Sequence, residues 1–266
     1  MACSGTCWSS DCESERPWNN PKSFDAINGT PIRGWNGSSW VVHTDRAETC
    51  FYNQLVDWIQ SLRFFSSAYG GNNFDTLQFL GDAGAGVCKP DNATSCHDRG
   101  RAYDLEHVKF NGYTVQIYNS YDWQSSNRSR RRRYLAVDAV CRIHFKYVLD
   151  GWYGDWNNDN HVFHIHMEDR FNTVCDKDSA SDTLFVKAVC NNFNGAGLDL
   201  SNATWTTATQ TAWRDLNSAM GFRPADCDVF TSATAYQDWL RHVAAMGFRD
   251  AGASAQVYRS PLCGPN

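Results

Sequence analysis

Histidine and aspartate residues in the middle of the chain have the types and spacing of a metal site. His97 and Asp104 are seven positions apart, and Gly100 between them lets the loop turn back. Further along, His164 and His166 stand two apart in a segment that alternates like a β-strand, so both side chains are expected on one face. Two histidines and one aspartate form a nitrogen and oxygen ligand set that fits zinc.

This ligand set has a definite chemistry. A catalytic zinc takes three protein ligands and a water molecule, which becomes nucleophilic near neutral pH. In a His-x-His pair, one imidazole can bind the metal while the other faces the bound water. The residues therefore predict one Zn²⁺ per chain. The same set resembles the facial triad of iron oxygenases, so iron or copper redox chemistry on the same scaffold is the first alternative.

The composition excludes several classes of protein. The 266 residues include 24 Lys and Arg against 29 Asp and Glu, a net charge of −5, which argues against nucleic acid as a partner. The sequence has no apolar run of about 18 residues, so no membrane-spanning segment is predicted. We expect a monomer.

The 11 cysteines are dispersed and form no Cys-x-x-Cys pair, which argues against a zinc ribbon. They predict up to five disulfides in an oxidising compartment, with one thiol left over. Asn-x-Ser/Thr sequons support a secreted glycoprotein, and they begin at Asn28, Asn36, Asn92, Asn127 and Asn202. The first ten residues do not read as a signal peptide, so we expect a mature secreted form.

The elements that position these residues predict an α+β fold. It consists of a small antiparallel sheet with flanking helices carrying the zinc site, plus a C-terminal three-helix module. The predicted domains are a disulfide-pinned N-terminal arm (1–45), a catalytic domain (46–172) and the helical module (173–266). Helices are predicted over 47–65, 134–153, 184–193, 207–220 and 232–246, and strands over 76–80, 102–110, 113–118 and 161–169.

Turn signals support several of these boundaries. The dipeptide Asn111-Gly112 separates the two central strands and predicts a β-hairpin. The last two helical patterns each run into Met-Gly-Phe, at 220–222 and 246–248, where the glycine is expected just past the end of the helix.

Residues 95–104 resemble a known family. They match the SxHxxGxAxD signature of D-alanyl-D-alanine carboxypeptidase-like zinc peptidases at every fixed position. The extensin-like C-terminal branch is most similar, because Cys88-Lys89 precedes the motif, a second cysteine lies within 139–149, and an HxHxE segment follows at 164–168. The resemblance covers roughly residues 76–170.

The resemblance implies a function and roles for particular residues. It implies a secreted zinc-dependent peptidase that hydrolyses peptide bonds, expected in peptidoglycan stem peptides. The implied zinc ligands are His97, Asp104 and His166, with His164 as general base and Cys88 and Cys141 as disulfide partners. Many relatives carry Glu or Asp three residues before the ligand histidine. Here Phe163 and His161 hold the corresponding positions, so His164 as ligand with His161 as base competes with the first assignment.

Substrate contacts are less well marked. The arginine with which relatives polarise the scissile carbonyl is not obvious, and Arg63 and Arg101 are the candidates. Trp156 is a candidate sugar-stacking platform. The basic run Arg128–Arg133 is a candidate site for an anionic cell-wall polymer. Further titratable residues near the motifs are expected to support the metal ligands or the fold: Glu106, His107, His144 and Glu168.

The C-terminal segment resembles the peptidoglycan-binding type 1 repeat, through Trp205, Thr209 and Ala212. This resemblance implies that the module delivers the catalytic domain to a cell wall. A non-catalytic cell-wall or glycan-binding protein that kept the metal site as a relic is the second alternative.

Overall fold

The computed structural model describes residues 21–85, 96–118, 121–168, 174–222, 228–255 and 257–259, and within them the protein is a mixed α and β structure. The α-helices are α1 (Thr49–Gly70), α2 (Arg128–His144), α3 (Gly151–Asn157), α4 (Ala180–Asn194), α5 (Thr207–Met220) and α6 (Ala233–Arg249). The strands are β1 (Pro21–Phe24), β2 (Ala26–Ile27), β3 (Thr30–Trp35), β4 (Trp40–Val42), β5 (Asp45–Glu48), β6 (Leu77–Gly84), β7 (Ala102–Phe110), β8 (Thr114–Gln116), β9 (Tyr147–Leu149) and β10 (Ile165–Glu168). Among these helices, none is long and apolar enough to cross a membrane.

The main sheet is larger than predicted and is mixed. Its order is β2-β3-β6-β7-β10-β9, with β4 paired to β3 and β8 to β7. The pairs are antiparallel except β3 and β6, which run parallel. Strands β1 and β5 form a separate two-stranded sheet. The prediction of a small antiparallel sheet with flanking helices is therefore only partly right.

The N-terminal segment contributes to this sheet. Residues 21–42 form four strands, whereas the sequence predicted an irregular arm. Thr30 and Ile32 are buried while Pro31 and Arg33 are half-exposed, the alternation that places β3 inside a sheet. Residues 1–20, with the three cysteines expected to pin the arm, lie outside the described part of the chain.

The predicted hairpin is confirmed, because β7 and β8 pair antiparallel around Asn111-Gly112. The predicted helix over 134–153 is right only as far as His144, where α2 ends and is followed by β9 and α3. Phe145 is extended and stops α2. Asp150 then starts α3, where its side chain accepts a hydrogen bond from the N–H of Tyr153 at 2.9 Å.

The three C-terminal helices are confirmed, and Gly221 ends α5 in the left-handed conformation as expected. The same expectation for Gly247 is wrong, because α6 continues to Arg249 and Asp250 takes the left-handed position. Gly247 instead permits close helix packing. A Cβ at this position would lie 2.4 Å from the carbonyl oxygen of Arg132 in α2.

One hydrophobic core joins the sheet to the C-terminal helices. Buried residues of β6, β7, α1 and α2 belong to the same cluster as those of α4, α5 and α6. Helix α6 packs against both α1 and α2. The helices predicted as a separate module over 173–266 therefore share their core with the predicted catalytic domain.

A buried arginine connects α2 to α3 and α4. Nε of Arg142 lies 2.9 Å from Asp138, Nη1 lies 2.7 Å from Asp182 and Nη2 lies 3.2 Å from Asp150. Its guanidinium also stacks on the ring of Phe185, 4.3 Å from the centroid. We call Arg142 and its three aspartates the Arg142 cluster.

The predicted disulfide between Cys88 and Cys141 is wrong. Cys141 is a free thiol on the inner face of α2, and burial raises its pKa. Its side chain contacts Trp58 of α1, so the cysteine is part of the core. Cys88 lies outside the described residues. Cys50 and Cys96 are disulfide-bonded.

Candidate metal centre

The loop before β7 positions the first two predicted ligands. His97 begins a short 3-10 turn, His97–Arg99, and Gly100 follows with φ 64° and ψ 34°. In this left-handed conformation the Gly100 N–H donates to the carbonyl of His97 at 3.0 Å and the chain reverses into β7. The predicted role of Gly100 is confirmed, and the turn brings His97 close to Asp104.

The third predicted ligand is set by strand register. His166 of β10 is the direct partner of Asp104 of β7 in an antiparallel pair, so the two side chains share one face of the sheet. The predicted strand over 161–169 is shorter than expected. Strand β10 begins at Ile165, which leaves His164 just before it and His161 in a 3-10 turn.

We call His97, Asp104 and His166 the central cluster. Nε2 of His97 lies 3.2 Å from Oδ2 of Asp104 and 3.2 Å from Nδ1 of His166. Nδ1 of His166 lies 2.8 Å from Oδ1 of Asp104. Tetrahedral zinc with bonds of about 2.0–2.2 Å places its ligand atoms about 3.3 Å apart. The central cluster therefore fits a zinc ion.

The outer nitrogens of both histidines are held in place. Nδ1 of His97 donates to the carbonyl oxygen of Ala85 at 3.2 Å, because that oxygen can only accept. Nε2 of His166 lies 2.9 Å from Oε1 of Glu168, a carboxylate partner. With a proton on each of these outer nitrogens, the inner nitrogen of the neutral ring faces the cluster and can serve as a metal ligand. Glu168 therefore lies where its predicted supporting role requires it to be.

The pKa values of Asp104, His166 and His164 are shifted by burial and by one another. Burial by itself raises the pKa of Asp104, but hydrogen bonds to His166 and His97 outweigh burial and hold that pKa well below its usual range. Burial lowers the pKa of His166, yet Asp104 and Glu168 raise it to about 9. Burial lowers the pKa of His164 to about 4. At pH 7 Asp104 is ionised and His164 is neutral.

His164 and His161 both lie beside the central cluster. Nε2 of His164 is 3.4 Å from Oδ1 of Asp104. The donor atoms of His161, His164 and His166 lie within 4.8 Å of one another, a second trio that shares His166. His161 is oriented by Asp159, whose carboxylate lies 2.7 Å from Nδ1. His166 contacts both other members of the central cluster, which favours His166 as ligand and His164 as base.

The predicted substrate-binding residues lie in three different settings. Arg63 lines a separate surface cavity with Gln60 and Phe64, and its Nη2 donates to Thr30 at 2.7 Å. Arg101 is buried in an ion pair with Glu48 at 2.5 Å. The prediction that either arginine reaches the reacting carbonyl gains no support from these positions.

Trp156 lies at the edge of the histidines. Its ring is 41% exposed and packs 5.8 Å from the ring of Tyr153. The ring of Tyr153 in turn lies 5.8 Å from that of His161. Trp156 therefore presents an exposed aromatic face one ring away from the candidate site.

The basic run forms the first turns of α2, and its charges serve the fold. Arg130 pairs with buried Asp122 at 2.7 Å. Arg132 donates to the carbonyl of Asn192 at 2.9 Å, and the guanidinium of Arg133 stacks 4.8 Å from the Tyr113 ring. The sequence did not reveal these contacts because all the acceptors and rings come from other elements.

Two features of the site were missed from the sequence: the Ala85 carbonyl and Asp159. Asp159 lies two residues before His161 and is a recognisable orienting carboxylate once that histidine is a candidate. The Ala85 carbonyl leaves no sequence signal, because any residue supplies one.

No family model, curated protein or solved structure matches this chain. The family resemblance therefore depends on the motifs at 95–104 and 164–168 and on the geometry that they adopt.

Proposed function

We propose that this chain is a secreted zinc-dependent peptidase that hydrolyses peptide bonds in peptidoglycan stem peptides. The observation that carries the proposal is the central cluster, in which one ligand atom from each of the three side chains lies within 4.8 Å of the others and the facing nitrogens of His97 and His166 are 3.2 Å apart. The motif resemblance supplies the reaction and the substrate class.

Each nearby side chain has a role in this proposal. Zinc held by the central cluster would polarise the scissile carbonyl and lower the pKa of water. His164, 3.4 Å from Asp104, takes the proton of the attacking water and returns it to the leaving amine. Glu168 holds the ring of His166 in its ligand orientation. The exposed ring of Trp156 offers a surface on which a sugar of the glycan strand stacks.

The C-terminal helices would hold the protein on the cell wall. Trp205 packs against the ring of Phe230 at 5.4 Å, and the N–H of Thr209 donates to the hydroxyl oxygen of Thr206, which caps the start of α5. The residues that resemble the peptidoglycan-binding repeat thus form one end of the helical layer. Binding of the purified protein to sacculi, compared with a Trp205→Ala variant, tests this part of the proposal.

The decisive experiment separates ligands from base. His97→Ala and Asp104→Ala are expected to lose zinc from the central cluster and to reduce release of peptide from muropeptides to background. His164→Ala is expected to keep that zinc and to lose about 10²–10⁴-fold in kcat, the usual contribution of a general base. Metal content by elemental analysis and hydrolysis rates are measured on the same preparations. His144→Gln is the control, because His144 contacts Ser61 away from the cluster.

Other outcomes would redirect the assignment. Full hydrolysis by His97→Ala would contradict the proposal. If His164→Ala lost the metal and His161→Ala kept it without activity, His164 would be the ligand and His161 the base. Stoichiometric iron or copper in the native protein would replace hydrolysis with redox chemistry. Binding to sacculi that survives chelation, without release of peptide, would identify a non-catalytic binding protein.

A further inference from the structure

A second group of metal-ligating side chains lies where β5 meets β6. His43 lies two residues before Asp45, the first residue of β5, and Asp82 belongs to β6. The donor atoms of these three residues lie within 4.8 Å of one another, and Nε2 of His43 is 3.0 Å from Oδ1 of Asp45. We call His43, Asp45 and Asp82 the second cluster.

Three of the four carboxylate oxygens of the second cluster are buried without a hydrogen-bond donor among the described residues. Asp82 is 2% exposed and lies beside the Tyr103 hydroxyl and the Asp45 carboxyl, but neither of its side-chain oxygens has a hydrogen-bond partner within 3.5 Å among the described residues. Asp45 is 5% exposed, and its Oδ2 is likewise unpaired within the described residues. Burying a carboxylate without a partner is strongly unfavourable. Two such groups side by side therefore require a positive charge between them, from either a proton or a cation.

The third member of the cluster favours a cation. A shared proton joins two carboxyl oxygens and leaves the other oxygens and the imidazole without a common partner. A divalent ion takes one lone pair from each of the three side chains at once. An imidazole with two carboxylates suits zinc or manganese. The side chain of His43 is 39% exposed, so it provides an entry path from solvent to the buried pair.

We propose that His43, Asp45 and Asp82 form a second site for a divalent metal ion, zinc or manganese, distinct from the central cluster. The two sites share no ligand. They flank one backbone residue: Gly84 pairs with Asp104 across β6 and β7, and a Cβ on Gly84 would lie 3.8 Å from Oδ1 of Asp45. An ion in the second cluster fixes the N-terminal strand β5 against the sheet beside the catalytic strand β7.

The test counts ions on the full chain. Protein stripped with a chelator and dialysed is titrated with Zn²⁺ alone and with Mn²⁺ alone, and bound metal is measured by elemental analysis. We expect two ions per wild-type chain with at least one of the metals. Asp82→Asn and His97→Ala are each expected to bind one, and the double variant none. Asp122→Asn is the matched control, because Asp122 is also buried but pairs with Arg130. It is expected to bind two.

His43→Gln keeps the test decisive if Asp82→Asn does not fold. His43 is half-exposed, so its replacement leaves the core intact, and we expect the second ion to bind more than about tenfold more weakly. A wild-type chain that binds a single ion, lost in His97→Ala, would overturn the proposal. So would unchanged binding of two ions by Asp82→Asn or by His43→Gln. Because the readout is metal content, loss of the second site is distinguishable from failure of the proposed peptidase activity.

Discussion

The Arg142 cluster and the central cluster bury charged groups in opposite ways. In the Arg142 cluster the chain supplies its own cation, and every nitrogen of the guanidinium has an acceptor among the aspartates, Ser181 and the Val148 carbonyl. In the central cluster two imidazoles and one carboxylate approach one another at 2.8–3.2 Å, and the chain places no cationic side chain of lysine or arginine among the three. The first arrangement contains its own cation in the folded chain, whereas the second could bind one from solution.

The comparison distinguishes a cluster with a permanent cation from a cluster whose cation could exchange with solvent. A guanidinium fixed in the core cannot leave, so the Arg142 cluster holds α2, α3 and α4 together under all conditions in which the protein is folded. A cation bound by a cluster of histidines and carboxylates would be released to a chelator or displaced by protons. Their responses to substitution and to metal removal should therefore differ in kind.

The largest stability effect is expected from Arg142→Met. The substitution leaves three buried aspartates without their cation, and removal of one partner from such a group destabilises a protein by about 3–5 kcal/mol. Urea unfolding measures the loss, and the metal content of the folded fraction should equal that of the wild type. A decrease of less than about 1 kcal/mol in the free energy of unfolding would contradict this view, because it would mean that the Arg142 cluster contributes little to stability.

Metal removal is expected to destabilise the protein only through the proposed metal sites and not through the Arg142 cluster. At a free metal concentration of 100 times Kd, a bound ion adds about 2.7 kcal/mol to the free energy of unfolding, and excess chelator removes that increment. Thermal melts with and without chelator measure it. The double variant His97→Ala, Asp82→Asn should melt at the same temperature in both conditions. A chelator effect that persists in the double variant would place the stabilising ion elsewhere.

The smallest effect is expected from His242, a buried histidine whose pKa is shifted by burial. His242 packs between the rings of Phe222 and Tyr258, and its Nε2 has no hydrogen-bond partner among the described residues. Burial lowers its pKa to about 4, below the unfolded value of about 6.5. Its contribution to stability is therefore complete above pH 6.5 and is lost as the pH falls toward 4.

As the pH falls from 7 to 5, His242 is expected to lower the free energy of unfolding by about 2 kcal/mol. The matched variant His242→Phe should show a correspondingly smaller loss over the same range, measured by urea unfolding at each pH. An identical pH slope in both proteins would show that His242 is accessible to protons in the folded state.

Local signals in the sequence predicted most of the elements. The Asn111-Gly112 turn, the left-handed Gly100 and the capped C-terminal helices all depend on a few neighbouring residues, and each was correctly predicted. Gly247 was misread because its role depends on α2, whose backbone at Arg132 approaches it from more than 100 positions away. The residues 147–149 were misread because an apolar run fits either a helix or a short buried strand.

The central cluster was predictable because its spacing is a motif, whereas the second cluster was not. Asp45 and Asp82 belong to strands from two distant segments, and no short pattern connects them. The parallel pairing of β3 with β6 was missed for the same reason. Such sites are visible only when the topology has brought the segments together.

The pairing of β7 with β10 makes metal binding a check on assembly. Asp104 and His166 face each other only in one register, and a slip by a single residue turns His166 to the opposite face of the sheet. An ion that needs both side chains stabilises that register over its neighbours. A chain with the wrong register would lose both the site and this stabilisation, so a bound ion would favour the correctly paired sheet.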